Sequence, residues 1–518
     1  MSATHTVRPE RGDEIELTVE SLAFGGEGVA RFGDEGYVVF VAGAVPGDLV
    51  KAFVYKRKRS YAHARAVEIL KPSPERIAPK ADHPGVPWQV LPYERQLEIK
   101  RDQVAEALRR IGHLDGFELE PIVQASEQWR YRNKLEYSFG NAGTGGMGGG
   151  VGTGGDVGTG GGVGTGGGVG TGGAGEAGGG GELVCGFHAS AGANRVTDLS
   201  DCLLASEVGN RARRLVLDWC RGEKLSAWDR GPRRGRLPPA AEGERAEPPP
   251  PAPDGRVRLR NLVVREGRRT DRLQIRLVTT DGELEPGGLA AALHDALGDR
   301  LSGVLWTRSR SPAETTAGGE TDLVWGSAEL PERLGDLELQ ISPEAFFQTN
   351  TEMAEILYGV VSEYAGLSGW ERVFDLYCGI GTIALTLAPK AGELFGIELI
   401  EQAVADAIAG AERNGVTNAK FFAGDTRLAL PELVAKAGRP DVLVVDPPRA
   451  GLSKKVVRRI VEASPKRIVY VSCNPTTLAP NAAELVEAGW TLRKVRPVDM
   501  FPQTHHIEAV ALFERDAG

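Results

Sequence analysis

The stretch IVYVSCNPTTL, residues 468–478, sets Cys473 between a β-rich run and an Asn-Pro turn, and Glu508 opens another β-rich run in THHIEAVALFE. A thiolate is a nucleophile and a carboxylate a proton acceptor, so the two brought together would suit covalent chemistry with a proton transfer. A lone cysteine is more often an inert packing residue, which is how Cys378 is read. Cys473 differs because Asn-Pro forces the chain to turn just where the strand ends.

The elements that must position these residues begin near residue 346. Strands are predicted at RVFDLY, ELFGIEL, AKFFAGD, VLVVDPP, RIVYVSC, TLRKVRPVDMF and EAVALFE, with helical patterns between most of them. That is an α/β doubly wound sheet finishing in a hairpin. Its sixth strand runs parallel toward the carboxyl edge, so the antiparallel last strand starts there and carries Glu508 to the side where Cys473 lies. On the same edge, VFDLYCGIGT (373–382) is a strand entering a Gly-rich turn, and Gly379 and Gly381 let the backbone approach a ligand. Glu398 closes the next strand, 17 residues beyond Gly381, near the offset of an acid that binds ribose hydroxyls. Asp375, Asp425 and the DPPR run at Asp446 complete the order typical of S-adenosylmethionine sites in class I methyltransferases. A pyridine-nucleotide fold is the competing reading. Against it, Ala384 stands at the third glycine position, and nothing in DPPR suits hydride transfer.

The chain is 518 residues long, room for about three domains. Residues 8–72 read as short strands with Gly-Gly and Pro-Gly turns, a small β-barrel, and AFGGEGVAR and VPGD resemble the OB-like TRAM domain, an RNA-binding barrel. Residues 73–345 form an α+β central domain that begins with a connecting helix over 94–112 and contains two insertions. In one, at about 140–181, Val151, Val157, Val163 and Val169 each open a VGTGG unit; four valines among glycines bury too little to order it, so disorder is expected. The other, Pro-rich at about 237–255, reads as a solvated linker. Residues 346–518 make the third domain. Five cysteines without paired spacing and no apolar leader in MSATHTVRPERGDEIEL suggest a reduced, cytoplasmic setting, and no stretch is apolar enough to span a bilayer. The net charge of −9 opposes indiscriminate coating of nucleic acid, but YKRKRSYAHAR (55–65), WRYRNK (129–134), RGPRRGR (230–236) and RVRLRNLVVREGRR (256–269) are basic, the first two interleaved with aromatics.

Five ordered motifs, FFQTN, DLYCGIGT, VVDPPRAGL, VSCNPTTLA and VDMFPQTHHIE, together resemble the RNA uracil-5-methyltransferase family. The likeness covers the chain from about 341, with the barrel and YRNK. It implies Cys473 as nucleophile and Glu508 as base, with Gln348, Tyr377, Thr382, Glu398, Asp425 and Asp446 on cofactor-binding positions. The implied reaction adds a thiolate to C6 of uracil so that C5 can take the methyl group of S-adenosylmethionine. The uridine must be looped or flipped to be reached. Cytosine-5 enzymes place their cysteine in the fourth-strand motif, here Asp446-Pro447-Pro448-Arg449, so uracil is favoured. The TRAM-like barrel points to 23S ribosomal RNA, with transfer RNA as alternative. A non-catalytic RNA-binding factor on the same fold is the reading from another class. A monomer, with no membrane partner, is expected.

The sequence departs from the family in one respect. Many relatives hold a [4Fe-4S] cluster through cysteines between barrel and connecting helix, where this chain has ADHPGVPWQVLPYERQL and no cysteine. Cys202 resembles the orphaned fourth ligand, and His83 cannot make up the set, so no cluster is expected. His505 and His506, adjacent on an extended chain, are expected to point apart and to serve the loop or the substrate rather than a metal. Pro480 is expected to mark a late helix start.

Overall fold

The computed structural model describes residues 8–142, 181–189, 195–228 and 254–515. The glycine hexads and the proline tract, with the expectations attached to them, lie outside those residues except at their edges, as does the basic run at 230–236.

Five strands, β1 (Glu14–Leu22), β2 (Gly28–Phe32), β3 (Tyr37–Ala42), β4 (Leu49–Arg57) and β5 (Tyr61–Lys71), close into a barrel in the order β1-β2-β3-β5-β4. Alternation turns Tyr37, Val39 and Val41 inward, where they meet Val50, Ala52, Val54, Ala62 and Ala64. The VPGD turn is built around Asp48, which is fully buried and accepts from the Val45 and Ser73 amides at 2.8 and 2.9 Å. Arg76 reaches the same carboxylate with Nε and Nη2, each at 2.8 Å. Gly47 has φ +87°, and a Cβ there would stand 2.7 Å from Ser73 Oγ, so the turn needs glycine.

Helix α1 (Tyr93–Glu106) continues as a π-helical turn to Ile111 and is followed by the short strand β6 (Glu118–Leu119). The central sheet comes next in the chain, with β7 (Lys134–Asn141), β8 (Leu183–His188), β9 (Val196–Asp198), α2 (Glu207–Gly222), β10 (Ser226–Ala227), β11 (Arg258–Gly267), β12 (Arg272–Thr279), α3 (Gly287–Leu297), β13 (Leu301–Arg308) and β14 (Glu320–Gly326). Its order is β14-β13-β12-β11-β7-β8-β9, with β10 beside β11.

The remainder comprises the hairpin β15 (Leu330–Leu334) and β16 (Leu337–Ile341), then α4 (Thr351–Ala365), β17 (Arg372–Leu376), α5 (Thr382–Leu387), β18 (Glu393–Glu398), α6 (Glu401–Arg413), β19 (Ala419–Ala423), α7 (Thr426–Ala437), β20 (Val442–Val445), α8 (Lys454–Ala463), β21 (Arg467–Ser472), α9 (Pro475–Glu487), β22 (Thr491–Val498) and β23 (Glu508–Glu514). The sheet order is β19-β18-β17-β20-β21-β23-β22-β6. Strands β17 to β21 are mutually parallel where they pair, and β23 runs antiparallel to β21 and β22. Val442 to Val445 are all buried, as expected of a strand covered on both faces by helices.

The described residues divide into two compact units: those before 93, with 134–266 and 273–328, and those of 93–133, 267–272 and 329 onward. Within the second unit β6 pairs with β22, and Glu120 accepts from Tyr364 Oη at 2.9 Å and pairs with Lys494 at 3.1 Å. Pro480 does not mark a late helix start. Helix α9 begins at Pro475, whose missing N–H is harmless at the first helical position, and Asn474 caps it by accepting from the Thr476 amide at 3.0 Å. Pro480 lies inside the helix, which forgoes one backbone bond there.

Candidate active site

The carboxyl ends of β17, β18, β20 and β21, with the start of β23, carry most of the residues singled out from sequence. Cys473 follows β21 directly, and of the five cysteines it is the one that is not buried. Asn474 ties its turn to the turn after β20, donating through Nδ2 to the Arg449 carbonyl at 3.1 Å, and Thr477 Oγ1 donates to the same carbonyl at 3.2 Å. The DPPR and SCNP turns are therefore one hydrogen-bonded unit.

Cys473, Glu508, Asp446 and Arg449 act on one another electrostatically. Burial pushes the Cys473 thiol up to about 12, the charges of Glu508 and Asp446 push the same way, and Arg449 opposes them. Glu508 is raised well above the carboxylate range by burial and then by Asp446, again opposed by Arg449. Asp446 is pushed up to about 7 by burial. The resting cluster is thus a neutral thiol among carboxyl groups that favour their protonated forms. Arg449, its one cationic neighbour in this balance, was legible only as the last letter of DPPR.

The Gly-rich turn lies beside this cluster. Gly379 has φ +55°, and a Cβ there would meet nothing within 4 Å, which leaves the backbone open to a ligand. Gly381, at φ +79°, instead packs against Ala407 and Phe421, each 3.1 Å from its would-be Cβ. Tyr377 is held at φ +64°, a strained value for a non-glycine residue and one that clusters at functional sites. Its hydroxyl bonds Thr426, next to Asp425. Thr382 opens α5 and donates to Tyr358 Oη at 3.1 Å. Glu398 accepts from the Gly379 amide at 3.1 Å and from the Leu399 and Ile400 amides at 2.7 and 3.0 Å, and those two apolar side chains are exposed.

Asp375 is fully buried at the end of β17, and among the described residues neither of its carboxyl oxygens has a hydrogen-bond partner. Burial and then the charge of Asp446 raise it well above the usual range. An orphaned buried carboxyl, an open glycine backbone and a strand-end glutamate fit S-adenosylmethionine, which brings a ribose diol and positive charge.

Two predicted cofactor positions have partners of their own. The Asp425 carboxylate is engaged by Arg427, whose side chain holds it down to about 2. Gln348 is buried ahead of α4, where its carbonyl accepts from Asn133 Nδ2 at 2.8 Å. Two residues earlier, Phe346 is 63% exposed, an unabsorbed aromatic that sequence reasoning passed over within FFQTN.

One expectation is corrected. His505 and His506 do not point apart: their ring centroids lie 4.1 Å from each other, because the chain there is a loop and not a strand. His506 Nδ1 faces Arg449 at 3.4 Å, and burial, then His505, presses its imidazole down to about 2. The basic run WRYRNK, for its part, is not solvent-exposed. Tyr131, Arg132 and Asn133 are buried, with Tyr131 Oη donating to the Pro502 carbonyl at 3.1 Å and Arg132 lying 5.6 Å over the Phe501 ring.

In the other unit, His83 Nε2 lies 3.3 Å from Cys202 Sγ, both side chains buried. The Gly85 amide donates to Nδ1 at 3.1 Å, which leaves Nε2 to donate to sulfur. Among the described residues no group of three or more His, Cys, Asp or Glu side chains is placed to hold a metal ion. Nor is any helix among them long and apolar enough to cross a membrane. On the barrel exterior, Phe40, Tyr61 and His63 cluster with centroids 5.4–5.7 Å apart, and Tyr55 stacks on His63 at 6.1 Å. The exposed run Lys56 to Arg59 borders them. Aromatic faces edged by cations suit unpaired bases and their phosphates.

The sheet and its strand-end turn define an S-adenosylmethionine-dependent methyltransferase. Residues 328–516 match the family of tRNA (uracil-5-)-methyltransferases, and residues 8–67 match the TRAM domain. An RNA methyltransferase of Chlorobaculum tepidum is 35% identical, with 98% of each chain covered, and one of Halalkalibacterium halodurans is 32% identical, with 97% of each covered. The chain belongs to the tRNA (uracil-5-)-methyltransferase family of RNA methyltransferases. Pyrococcus abyssi tRNA (uracil-54, C5)-methyltransferase, solved in complex with S-adenosyl-L-homocysteine, shares the fold with a TM-score of 0.66 at 24% identity, over 96% of this chain and 100% of that one.

Proposed function

We propose that the chain methylates C5 of a uridine in 23S ribosomal RNA through a covalent bond between Cys473 and C6. The observation that carries this reading is the meeting of the one unburied thiol with Glu508, Asp446 and Arg449 at the strand ends. Glu398 and the open backbone at Gly379 would hold the ribose and the chain of the cofactor, with Asp375 facing its positive charge. Bound S-adenosylmethionine supplies an electrophilic methyl group on a sulfonium.

Uracil C5 is a weak nucleophile, and addition at C6 changes that. Cys473 gives up its proton to water, the thiolate forms the Sγ–C6 bond, and the C5–C6 π electrons move onto the C4 carbonyl as an enolate. Once C5 carries the methyl group, Glu508 takes the remaining C5 proton. The electrons of that C–H bond restore C5=C6 and expel the Cys473 thiolate. Glu508 must be ionised to do this, and Arg449 is the neighbouring charge that favours the ionised form. The exposed Phe346, two residues before Gln348, offers a ring face for a uridine turned out of its stack.

The TRAM barrel supports ribosomal RNA. Transfer RNA is the second reading, favoured by the name of the matching family and by the substrate named for the Pyrococcus abyssi enzyme. RNA carrying tritium at uracil C5 separates the cases. With cofactor present, tritium release should match methyl uptake, vanish in Cys473→Ala, and come from the ribosomal fraction. Release from transfer RNA alone would replace the first reading with the second. No release from any RNA would overturn both.

A further inference from the structure

We propose that α1 is the positioning element for Glu508: through Tyr93, Gln96 and Lys100 it fixes the 499–507 loop that delivers the base to the site. This rests on the uracil-methylation reading. Residues 93, 96 and 100 fall on one helical face, and each reaches the loop some 400 positions away. Tyr93 Oη donates to Asp499 Oδ2 at 2.9 Å, and Lys100 Nζ donates to Asp499 Oδ1 at 2.6 Å and to the Phe501 carbonyl at 3.0 Å. Gln96 exchanges two bonds with Gln503, Nε2 to Oε1 and Oε1 from the backbone amide, both at 2.9 Å.

All of these side chains are buried, Gln96, Lys100 and Asp499 completely. Gln503 sits at φ +67°, a strained conformation that persists only where neighbours impose it. Asn350 Nδ2 adds a bond to the Met500 carbonyl at 3.0 Å. Downstream, Thr504 Oγ1 donates to the Phe501 carbonyl at 2.7 Å and accepts from the His506 amide at 3.3 Å, and His506 meets Arg449 two residues before Glu508.

Hydrogen bonds therefore run without a break from α1 to the threshold of the base. An apolar seam would hold two elements together as well as a buried ion pair does; what the polar network adds is a single register. Register matters here because proton removal from C5 tolerates little displacement of the carboxylate.

The consequence is specific to one step. With the loop loosened, Cys473 still adds and C5 is still methylated, but the C5 proton stays and the Sγ–C6 bond cannot break. Gln96→Ala and Lys100→Met are the variants, tested with full-length protein on the RNA that wild type methylates. In Gln96→Ala, tritium release should slow about ten- to hundredfold, while a methyl-labelled protein–RNA adduct stable to detergent builds up. Cofactor affinity should stay within about twofold, and hydrogen exchange should speed up in 499–507. Lys100→Met, where it folds, should do the same; where it does not, Gln96→Ala, which leaves no charge unpaired, decides alone.

Tritium release at the wild-type rate in Gln96→Ala overturns the positioning role. So does release and methyl uptake falling in step with no adduct. Wild-type protein inactive on every RNA overturns the uracil reading and this one with it.

Discussion

Cys473 rests as a thiol, and its environment says what must change before it reacts. Burial holds it up to about 12, so the thiolate fraction of the cofactor-free protein should grow about tenfold per pH unit through the neutral and alkaline range. Iodoacetamide labelling read by peptide mass should follow that slope from pH 7 to 10 and fall on Cys473, since the other four thiols are buried. A plateau near pH 8 would show a thiol activated without cofactor or RNA. Glu508→Gln keeps the shape of the base and removes its basicity. Turnover should drop by about 10²–10⁴, with methylated adduct left on Cys473; full turnover would remove Glu508 from the proton step. Both residues were legible in the sequence, Cys473 from its Asn-Pro turn and Glu508 from hairpin topology. Their raised values and the opposing charge of Arg449 were not, because burial and proximity are set by elements far apart in the chain.

At the scale of elements, the strands and their ends could be read from period and punctuation, and β17 to β23 stand where the apolar runs indicated, whereas their order in the sheet comes from the structure. Helix α1 could be read as a helix but not as a clamp. Its face toward the 499–507 loop is polar, so apolar periodicity carries no trace of the contact. For the same reason the burial of WRYRNK could not be read, since an arginine stacked on Phe501 is spelled like one facing solvent. Lys100→Met leaves Asp499 buried without its cation, and urea denaturation should register a loss of about 3–5 kcal/mol; an unchanged midpoint would mean that the pair contributes no net stability. Asn474→Ala removes the cap of α9 and should lower stability by about 1 kcal/mol, read in the same way.

Across the whole molecule, the barrel was legible because Gly-Gly and Pro-Gly turns punctuate it, and VPGD now has a physical basis in the pairing of buried Asp48 with Arg76. The grouping of 93–133 with the C-terminal sheet was not legible, since no shift in composition marks it. The contact between His83 and Cys202, 119 positions apart, could be anticipated only through the resemblance, which set both at the missing cluster. The aromatic cluster of Phe40, Tyr61 and His63, edged by Lys56 to Arg59, should act on binding and leave the chemistry alone. Replacing those four cations with glutamine should weaken RNA binding and lower the slope of log affinity against log salt by up to about 3, at roughly 0.7 per phosphate contact on a single strand. Turnover at saturating RNA should be unchanged. A slope equal to that of wild type would take the β4–β5 connection out of the RNA path.

The covalent step is the centre of the account, and fluorine at uracil C5 isolates it. Fluorine cannot leave as a cation, so proton removal is blocked and the Sγ–C6 bond, once formed, persists. Substrate RNA so substituted, incubated with S-adenosylmethionine and digested, should yield the peptide around Cys473 carrying a methylated fluorouridine. A methylated product with no such peptide, or an adduct on another cysteine, would contradict the role given to Cys473.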